Sequence, residues 1–402
     1  MNTKKAAILL FSALFLFSCA SKDKKKPDSA AGDKPPVFKG EVMELYYPSG
    51  ALLGKGGFSK MTEAGTEKVL KENEWSFYYE DGKGTLVKQK GNFKANKQEG
   101  PWISYFKSGK IQAEAVYGGG KLNGLVTTYD ETGLKQSEIY YVDNKVAGEK
   151  KTYFPKTKIT QKIEHYLAGK KNGICQEFYM DGKLKLSSFY KDDKLHGAWY
   201  ENYPDGNKKM LGQYADGMKT GTWTVYHENG KRKMTGKFIN DKMEGLWQTF
   251  TPEGTLESEG PYVDNSQKGI WKYYEKNGKL KIRYTLEGGM ANGTGWIYEN
   301  GKLIGEGNFT GLPHNAKING TYKEYYPNGT VKSEGEYMLS KKTKAFKEYY
   351  PTGALMAEGE YMNDKRNGLW KFYQKDGKTR DQELSGYYMM GTLNKKLTPA
   401  DF

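Results

Sequence analysis

The fold is decided by two consecutive stretches, residues 221–244, GTWTVYHENGKRKMTGKFINDKME, and residues 245–268, GLWQTFTPEGTLESEGPYVDNSQK. Each stretch begins with a glycine and carries a tryptophan two residues later. A turn sequence, ENG or PEG, then ends in a second glycine, nine residues after the first. A further aromatic residue follows at position seventeen, and a second turn, NDK or DNS, closes the stretch. Self-similarity at a fixed period of this length is the sequence signature of a repeat architecture.

The first glycine, called position 0 of its repeat below, recurs through most of the chain at intervals of 24, 25 or 27 residues. Lys344 occupies the same slot between the last two glycines. Two degenerate copies precede the regular ones, near Tyr46 and near Trp75. The period therefore predicts about 14 copies over residues 41–391. The glycines at position 0 are Gly100, Gly124, Gly148, Gly173, Gly197, Gly221, Gly245, Gly269, Gly293, Gly320 and Gly368.

Two positions form the predicted framework of the repeat. Position 2 carries an aromatic residue, and its tryptophans are Trp102, Trp199, Trp223, Trp247, Trp271 and Trp370. Position 9 carries the turn glycine, as Gly109, Gly182, Gly230, Gly254, Gly278, Gly329, Gly353 and Gly377. Aromatic residues favour strands, and a glycine after Asn, Glu or Asp supplies the positive φ of a tight turn. Each copy is therefore predicted to be a β-hairpin with strands of about five to seven residues.

The fold class that follows is all-β, an elongated tandem array of antiparallel β-hairpins. Helix is disfavoured, because no segment keeps a 3.6-residue hydrophobic period free of glycine for three turns. The composition agrees, since 14% of the residues are aromatic while only 37% are hydrophobic. Aromatic side chains must therefore supply much of the buried apolar area.

The pattern G-x-W-x-x-Y-Y-x-x-G-K, followed by G-x-Y and an Asn or Asp turn, resembles the variant MORN repeats, whose bacterial members are labelled as the antitoxin-like YwqK family. The resemblance covers residues 41–391, and the chain ends in a predicted tail over residues 392–402. It implies an extended sheet in which each hairpin packs on its neighbours. It also implies an antitoxin-like partner role, although it does not identify the partner.

The amino terminus predicts export and lipidation. Lys4 and Lys5 precede an apolar segment, residues 6–17, that is too short to span a bilayer, so residues 1–18 are predicted to be a signal peptide. The sequence Leu16-Phe17-Ser18-Cys19 resembles a bacterial lipobox, although Phe17 is larger than the residue usual there. Cys19 is therefore the predicted lipidation site, and residues 19–40 are a predicted disordered tether.

The predicted location is the bacterial cell envelope, with the protein held at a membrane by the lipid on Cys19. By resemblance to enteric lipoproteins, Ala20 after the cysteine favours the outer membrane over the inner.

The formal net charge of +15 leaves two interpretations open. Anionic partners, such as acidic glycans or anionic lipids, would be attracted by the excess of lysine. Alternatively, lysines in turns and on strand edges keep exposed sheet edges from pairing with other chains. The charge is spread along the chain and not gathered into one stripe, which disfavours nucleic acid as a partner.

Strand alternation places positions 2 and 5 on opposite faces of the sheet. An exposed ladder of position 5 tyrosines with flanking lysines would suit stacking on sugar rings or contact with anionic lipid. The alternative is that both aromatic rows pack inside a curved sheet.

No catalytic residue, metal site or cofactor is predicted. The four histidines have no second ligand at metal-binding spacing, and His227 occupies a slot that other copies fill with tyrosine or phenylalanine. Cys175 stands in the tryptophan slot and is interpreted as a small buried substitute. Carboxylates such as Glu306, Glu334 and Glu358 recur in equivalent positions, whereas an active site needs one asymmetric constellation.

The function predicted from the sequence is that of a non-enzymatic envelope lipoprotein whose repeats form a scaffold for another envelope protein. Two alternatives remain open: binding of cell-wall glycan or anionic lipid through rows of aromatic and lysine side chains, and an antitoxin-like interaction with an envelope or secreted toxin.

Overall fold

The structure, a computed structural model, describes residues 35–81 and 83–398. It contains 33 strands and one short 3-10 helix in that part of the chain, and its strand pairings are antiparallel. The prediction of an all-β array of antiparallel hairpins is confirmed. Cys19, the predicted signal peptide and residues 20–34 of the predicted tether lie outside the described residues. Contacts divide the described residues into two compact units, one within residues 35–98 and 104–109 and the other within residues 99–103 and 110–398.

The first unit is built from long hairpins. Its largest joins strands of 12 and 13 residues through a turn at Ala64 and Gly65, which both have positive φ. Trp75 is fully buried there, and its indole N–H donates to the carbonyl of Gly57 (2.8 Å). The strands are β1 Val37–Lys39, β2 Val42–Tyr46, β3 Leu52–Glu63, β4 Thr66–Tyr78 and β5 Val87–Lys94, and β6 Lys97–Tyr105 is divided between the units.

The second unit is a meander in which successive long strands pair in chain order. A short 3-10 helix, Pro313–Asn315, interrupts one connection. Its strands are β7 Ile111–Gly118, β8 Lys121–Leu122, β9 Gly124–Tyr129, β10 Lys135–Val142, β11 Lys145–Tyr153, β12 Thr160–Leu167, β13 Lys170–Lys171, β14 Gly173–Phe178, β15 Leu184–Lys191, β16 Lys194–Asn202, β17 Lys208–Ala215, β18 Met218–Tyr226, β19 Arg232–Ile239, β20 Lys242–Phe250, β21 Leu256–Val263, β22 Ser266–Gln267, β23 Gly269–Tyr274, β24 Leu280–Glu287, β25 Met290–Glu299, β26 Lys302–Gly311, β27 Lys317–Tyr325, β28 Val331–Met338, β29 Lys341–Tyr349, β30 Leu355–Met362, β31 Lys365–Phe372, β32 Gly386–Met389 and β33 Thr392–Lys396.

Two turn types alternate along this meander. At the first, the N–H of Gly254 donates to the carbonyl of Thr251 (2.8 Å), and Gly254 has a φ of 89°. This geometry belongs to a three-residue hairpin loop that ends in a left-handed residue. At the second, Asn240 and Asp241 have φ values of 50° and 66°, so they form a two-residue type I′ turn. All eight glycines predicted at position 9 have positive φ.

The second turn also fastens each repeat to the one before it. The side-chain oxygen of Asp241 accepts from the backbone N–H of Lys219 (2.7 Å), while the N–H of Asp241 donates to the carbonyl of Lys219 (3.1 Å). The side chains of Asp193 and Asp364 accept in the same way from the backbone N–H groups of Lys171 and Lys342. The Asp or Asn of the second turn therefore sets the register between consecutive repeats.

The predicted strand length of five to seven residues is wrong for most of the second unit. Most strands there have eight or nine residues, as in Met218–Tyr226 and Arg232–Ile239. The difference arises at position 0, where the chain takes a positive φ (66° at Gly221) within a strand and the register shifts by two residues. A bulge of this kind bends the strand without ending it. Lys344 adopts the same conformation, with a φ of 56°.

The core of the second unit lies on one face of its sheet, here called the inner face, which carries positions 2 and 17. Aromatic rings from Trp199 to Tyr388 follow one another there with centroids 4.9 to 6.5 Å apart, most of them edge to face. Each such pair contributes about 0.5–1.5 kcal/mol beyond the area it buries. A nearly continuous aromatic ladder thus replaces an aliphatic core.

A glycine at position 15 makes room for the ladder. A Cβ atom on Gly236 would lie 2.1 Å from the ring of Trp247, and one on Gly359 would lie 2.4 Å from the ring of Trp370. The indole N–H of Trp247 donates to the carbonyl of Lys237, the residue that follows Gly236 (3.2 Å). The tryptophan therefore lies directly on the backbone of the neighbouring strand.

The array extends a few residues beyond both predicted boundaries. Val37–Lys39, within the predicted tether, is a strand that pairs with Val42–Tyr46. Thr392–Lys396, within the predicted tail, pairs with Gly386–Met389. Among the described residues, no helix has the length and apolar character needed to cross a membrane.

Candidate binding face

The second face of the sheet in the second unit, here called the outer face, carries positions 3, 5 and 14. Strand register places Glu306, Lys323, Glu334, Lys347, Glu358 and Lys371 directly opposite one another across six strands. The charge alternates at every step of this row, called the charged row below. Opposite charges directly across a strand pair stabilise the pairing by roughly 0.2–1 kcal/mol each. The row is therefore fixed by the sheet itself.

A tyrosine at position 5 supports each glutamate of the charged row. The hydroxyl of Tyr349 donates to Glu334 (2.7 Å), and that of Tyr325 donates to Glu306 (2.6 Å). Tyr373 repeats the contact with Glu358 at 2.9 Å. These contacts hold the carboxylates in place and satisfy only part of their hydrogen-bonding capacity.

The pKa values follow from these contacts. The hydrogen bond from Tyr349, together with Lys323, lowers the pKa of Glu334. Burial and the hydrogen bond to Glu334 raise the pKa of Tyr349 to about 12. Glu334 is accordingly charged at neutral pH, and Tyr349 beside it is neutral.

The charged row lies in a groove of about 780 Å³ on the outer face, which runs from Thr294 and Trp296 to Lys371. Two further carboxylates, Glu336 and Glu360, line it beside the row, so five carboxylates face three lysine ammonium groups. Thr321 and Ala345 are exposed between them and are too small to fill the space. The guanidinium of Arg283 stacks over the ring of Trp296, 4.0 Å from its centroid. Lys344 pairs with Glu336 (2.7 Å), so one carboxylate remains in excess over the lysines at the groove, in a chain that is basic as a whole.

The position 6 side chains tie the hairpins together and are not available for binding. The hydroxyl of Tyr326 donates to the carbonyl of Tyr349 (2.9 Å), and that of Tyr203 donates to the carbonyl of Tyr226 (2.9 Å). His227 places Nε2 2.9 Å from the carbonyl of Phe250, in the same slot. The interpretation of this histidine as a structural replacement for tyrosine fits this geometry.

The predicted framework residues are found in structural roles. Trp102, Trp223, Trp247, Trp271 and Trp370 are buried, whereas Trp199 is half-buried. The position 5 aromatic residues lie on the opposite face and are half-buried, so the two aromatic rows differ in exposure, as strand alternation predicts. The predicted lipidation site, Cys19, lies outside the described residues.

Cys175 occupies the tryptophan slot of its repeat as a buried free thiol. Burial raises the pKa of this thiol, so the unreactive protonated form is favoured. Ser188 packs beside it, and its hydroxyl donates to the carbonyl of Cys175 (3.3 Å). No group of three or more potential metal ligands occurs within residues 35–81 and 83–398.

Three functional features of the structure are absent from the predicted framework. These are the position 15 glycine under most of the position 2 rings, the Asp or Asn that fastens the second turn, and the alternating charged row. The first two recur in the sequence at the 24-residue period. The charged row needs the strand register, because Glu334 and Lys347 are 13 residues apart yet directly opposite.

Sequence comparison identifies the repeat. A family model described as "MORN repeat variant" matches eight segments, residues 98–117, 171–192, 195–216, 219–240, 243–264, 267–286, 318–338 and 342–363. These eight segments are therefore MORN-type repeats, as the resemblance of the sequence pattern implied. No curated protein matches the chain.

Several solved structures match with low similarity. The crystal structures of TcdB2-TccC3-Cdc42 and of TcdB2-TccC3 are each 12% identical and are matched over 83% of this chain, with TM-scores of 0.14 and 0.16. This chain spans 23% of their length. A porin-like protein from Bacteroides uniformis is 11% identical over 62% of this chain and 92% of its own, with a TM-score of 0.12.

Proposed function

We propose that this array of MORN-type repeats is a non-enzymatic scaffold that binds a partner protein through the outer face of its second unit. The observation that carries the proposal is the acidic groove over Trp296 to Lys371, where an ordered row of charges stays accessible. Hydrogen bonds and register hold these side chains in fixed positions, so a partner would meet a preorganised surface, which lowers the entropic cost of binding.

We further propose that a lipid on Cys19 holds the scaffold at the bacterial envelope, at the outer membrane in preference to the inner. The support is the lipobox-like sequence Leu16-Phe17-Ser18-Cys19 after an apolar segment. Replacement of the thiol by Cys19→Ser should release the protein from the membrane fraction and abolish incorporation of labelled fatty acid. Unchanged labelling of the variant would refute the anchor and leave the binding face untouched.

The scaffold proposal is tested by placing a photo-crosslinking amino acid at Thr321, which is exposed in the groove, and at Lys276, which is exposed in a turn. In intact cells, a defined envelope protein should be crosslinked from position 321 and not from position 276. Equal capture from both positions, or none from position 321, would contradict the proposal. An antitoxin-like role would appear in the same experiment as capture of a secreted or envelope toxin.

A second candidate function is binding to anionic lipid or cell-wall glycan. It is favoured by the side of the sheet where strand ends are joined by the type I′ turns. Apolar side chains just before these turns are 44% to 56% exposed: Ile239, Val263, Met338 and Met362. Lysines follow most of these turns, at Lys242, Lys341 and Lys365. Apolar groups beside basic ones are the combination that membrane surfaces bind.

Sedimentation with anionic vesicles and with purified cell wall tests this candidate. Binding should be lost when Lys242, Lys341 and Lys365 are replaced together by glutamate. Retention of vesicle binding by that triple variant would exclude this side of the sheet as the contact.

A further inference from the structure

The inference below rests on the proposed binding role of the groove and concerns the chemistry of its occupant. The charges of the groove are the first observation. Its lining has five carboxylates and three lysines, and one of the five, Glu336, pairs with a fourth lysine, Lys344 (2.7 Å); one carboxylate therefore remains in excess, although the whole chain has a net charge of +15. Glu360 is exposed at the rim, and Glu336 is half-buried beside it. Charge complementarity therefore selects a cationic occupant.

The spacing of the carboxylates is the second observation. Glu306, Glu334 and Glu358 lie on every second strand of the sheet, with a lysine on each strand between them. Neighbouring strands are about 4.8 Å apart, so these carboxylates recur at about 9.6 Å. A polypeptide that crosses the strands along the row would have to present cations at that interval.

This interval distinguishes between the conformations of a polypeptide. A polyproline II helix advances about 9.3 Å in three residues, and every third side chain lies on the same side. A β-strand advances about 9.9 Å in three residues, but its residues i and i+3 point to opposite faces. An α-helix has no whole number of turns at this length, since two turns advance about 10.8 Å. The polyproline II helix is the one regular conformation that fits.

The lysines of the row complement the same ligand. A polyproline II helix makes no internal hydrogen bonds, so its backbone carbonyls remain free to accept. Lys323, Lys347 and Lys371 present ammonium donors between the carboxylates. Carboxylates would bind the cationic side chains, while lysines would bind the carbonyls between them.

We infer that the groove binds an extended, proline-rich polypeptide in the polyproline II conformation with Lys or Arg at every third position. The groove crosses seven strands from Trp296 to Lys371. Six strand spacings amount to about 29 Å. Three turns of a polyproline II helix, about nine residues, span that distance.

The test uses the full chain and two synthetic peptides of twelve residues with identical composition. In the first, the triplet Pro-Pro-Arg is repeated four times; in the second, the four arginines are adjacent and the prolines follow. Fluorescence anisotropy at low ionic strength should give at least about tenfold tighter binding for the triplet peptide. Added salt should weaken that binding, because the carboxylates of the row are only half-buried and their charges are screened.

Matched variants locate the contact. Glu334→Gln with Glu358→Gln should weaken the triplet peptide about tenfold, and Glu360→Gln should weaken it less. Glu259→Gln is the control, because Glu259 contacts Tyr274 (2.8 Å) and Lys272 (3.0 Å) on the outer face but does not line the groove. The circular dichroism spectrum should be unchanged in all of them.

Equal affinity for both peptides, or an equal loss in the Glu259→Gln control, would overturn the inference. Crosslinking from Thr321 separates this result from a failure of the scaffold proposal. A captured partner whose contact segment lacks cations at every third residue would refute the polyproline II ligand and leave the scaffold standing.

Discussion

The substitution Gly236→Ala tests whether the contact between position 15 and the position 2 ring holds the inner face together. The added Cβ would lie 2.1 Å from Cδ2 and 2.3 Å from Cε2 of Trp247. Carbon atoms in contact are ordinarily about 3.5–4.0 Å apart, so the indole would have to move by more than about 1 Å. The substitution therefore displaces a ring that is only 2% exposed.

The surroundings leave that ring no space. Phe238 and Tyr262 pack on Trp247 edge to face, with centroids at 5.2 and 5.9 Å. Overpacking of this kind costs about 1–3 kcal/mol, and loss of the indole hydrogen bond to Lys237 adds about 1 kcal/mol. Alanine offsets roughly 0.5–1 kcal/mol through its lower backbone entropy. The expected net loss in the free energy of unfolding is about 1–3.5 kcal/mol.

Urea unfolding followed by far-ultraviolet circular dichroism measures this loss. Gly118→Ala is the matched control, because Gly118 also lies in a strand without positive φ and the nearest atom to its Cβ is the flexible Asn123 amide at 3.4 Å. In a Trp247→Leu background the cost of Gly236→Ala should shrink. The reasoning is refuted if Gly236→Ala costs no more than Gly118→Ala, or if its cost is the same with and without the tryptophan.

Three further predictions concern the turns, the bulge and the tyrosines. Lys344→Gly should raise the free energy of unfolding, measured by urea titration, by about 1 kcal/mol. A non-glycine residue at a φ of 56° costs about 1–2 kcal/mol, and the exposed lysine side chain contributes little to stability. A urea midpoint lower than that of the unchanged protein would contradict this prediction. Asp241→Ala and Asp241→Gly both remove the acceptor for the N–H of Lys219. The alanine variant should be about 1 kcal/mol less stable than the glycine variant, because residue 241 has a φ of 66°. Equal free energies of unfolding would show that this positive φ does not reduce stability. Burial raises the pKa values of Tyr273 and Tyr284 to about 12. Their contribution to stability is therefore complete below pH 10 and is lost as the pH rises toward 12. Titration of the phenols, followed at 295 nm, should coincide with alkaline unfolding, and phenolate formation in a fully folded chain would contradict this prediction.

The sequence was sufficient to predict the fold class, because each repeat marks its turns with glycines and its buried strand positions with aromatic residues. Gly254 and the seven other position 9 glycines stand where the backbone requires positive φ, and buried tryptophans recur two residues after position 0. A period of strand, turn and strand leaves antiparallel hairpins as the simplest solution. Strand lengths were not predictable in the same way, because a bulge at Gly221 and a tight turn at Asn240 and Asp241 extend pairing through residues that read as loop.

The binding face could be predicted only in part. Recurrence of Glu306, Glu334 and Glu358 was visible in the sequence and argued against catalysis, but it did not show that lysines lie directly between them. Neighbours across a sheet depend on turn length and bulges, since one residue of slip moves a side chain to the other face. A charge pattern across strands therefore depends on register and cannot be predicted from the sequence alone, whereas a pattern along a strand can.

The irregular repeats explain which features of the unit are indispensable. Between residues 118 and 170, where the family model finds no match, the inner face carries Lys150 opposite Glu164 in place of a ring opposite a glycine. Lys150 and Lys171 both contact the buried Glu164, at 3.4 and 2.6 Å. The backbone register nevertheless continues through this segment. The turns and the ladder of backbone hydrogen bonds therefore specify the hairpin, and the inner face demands only a pair of side chains that fill the space and satisfy each other.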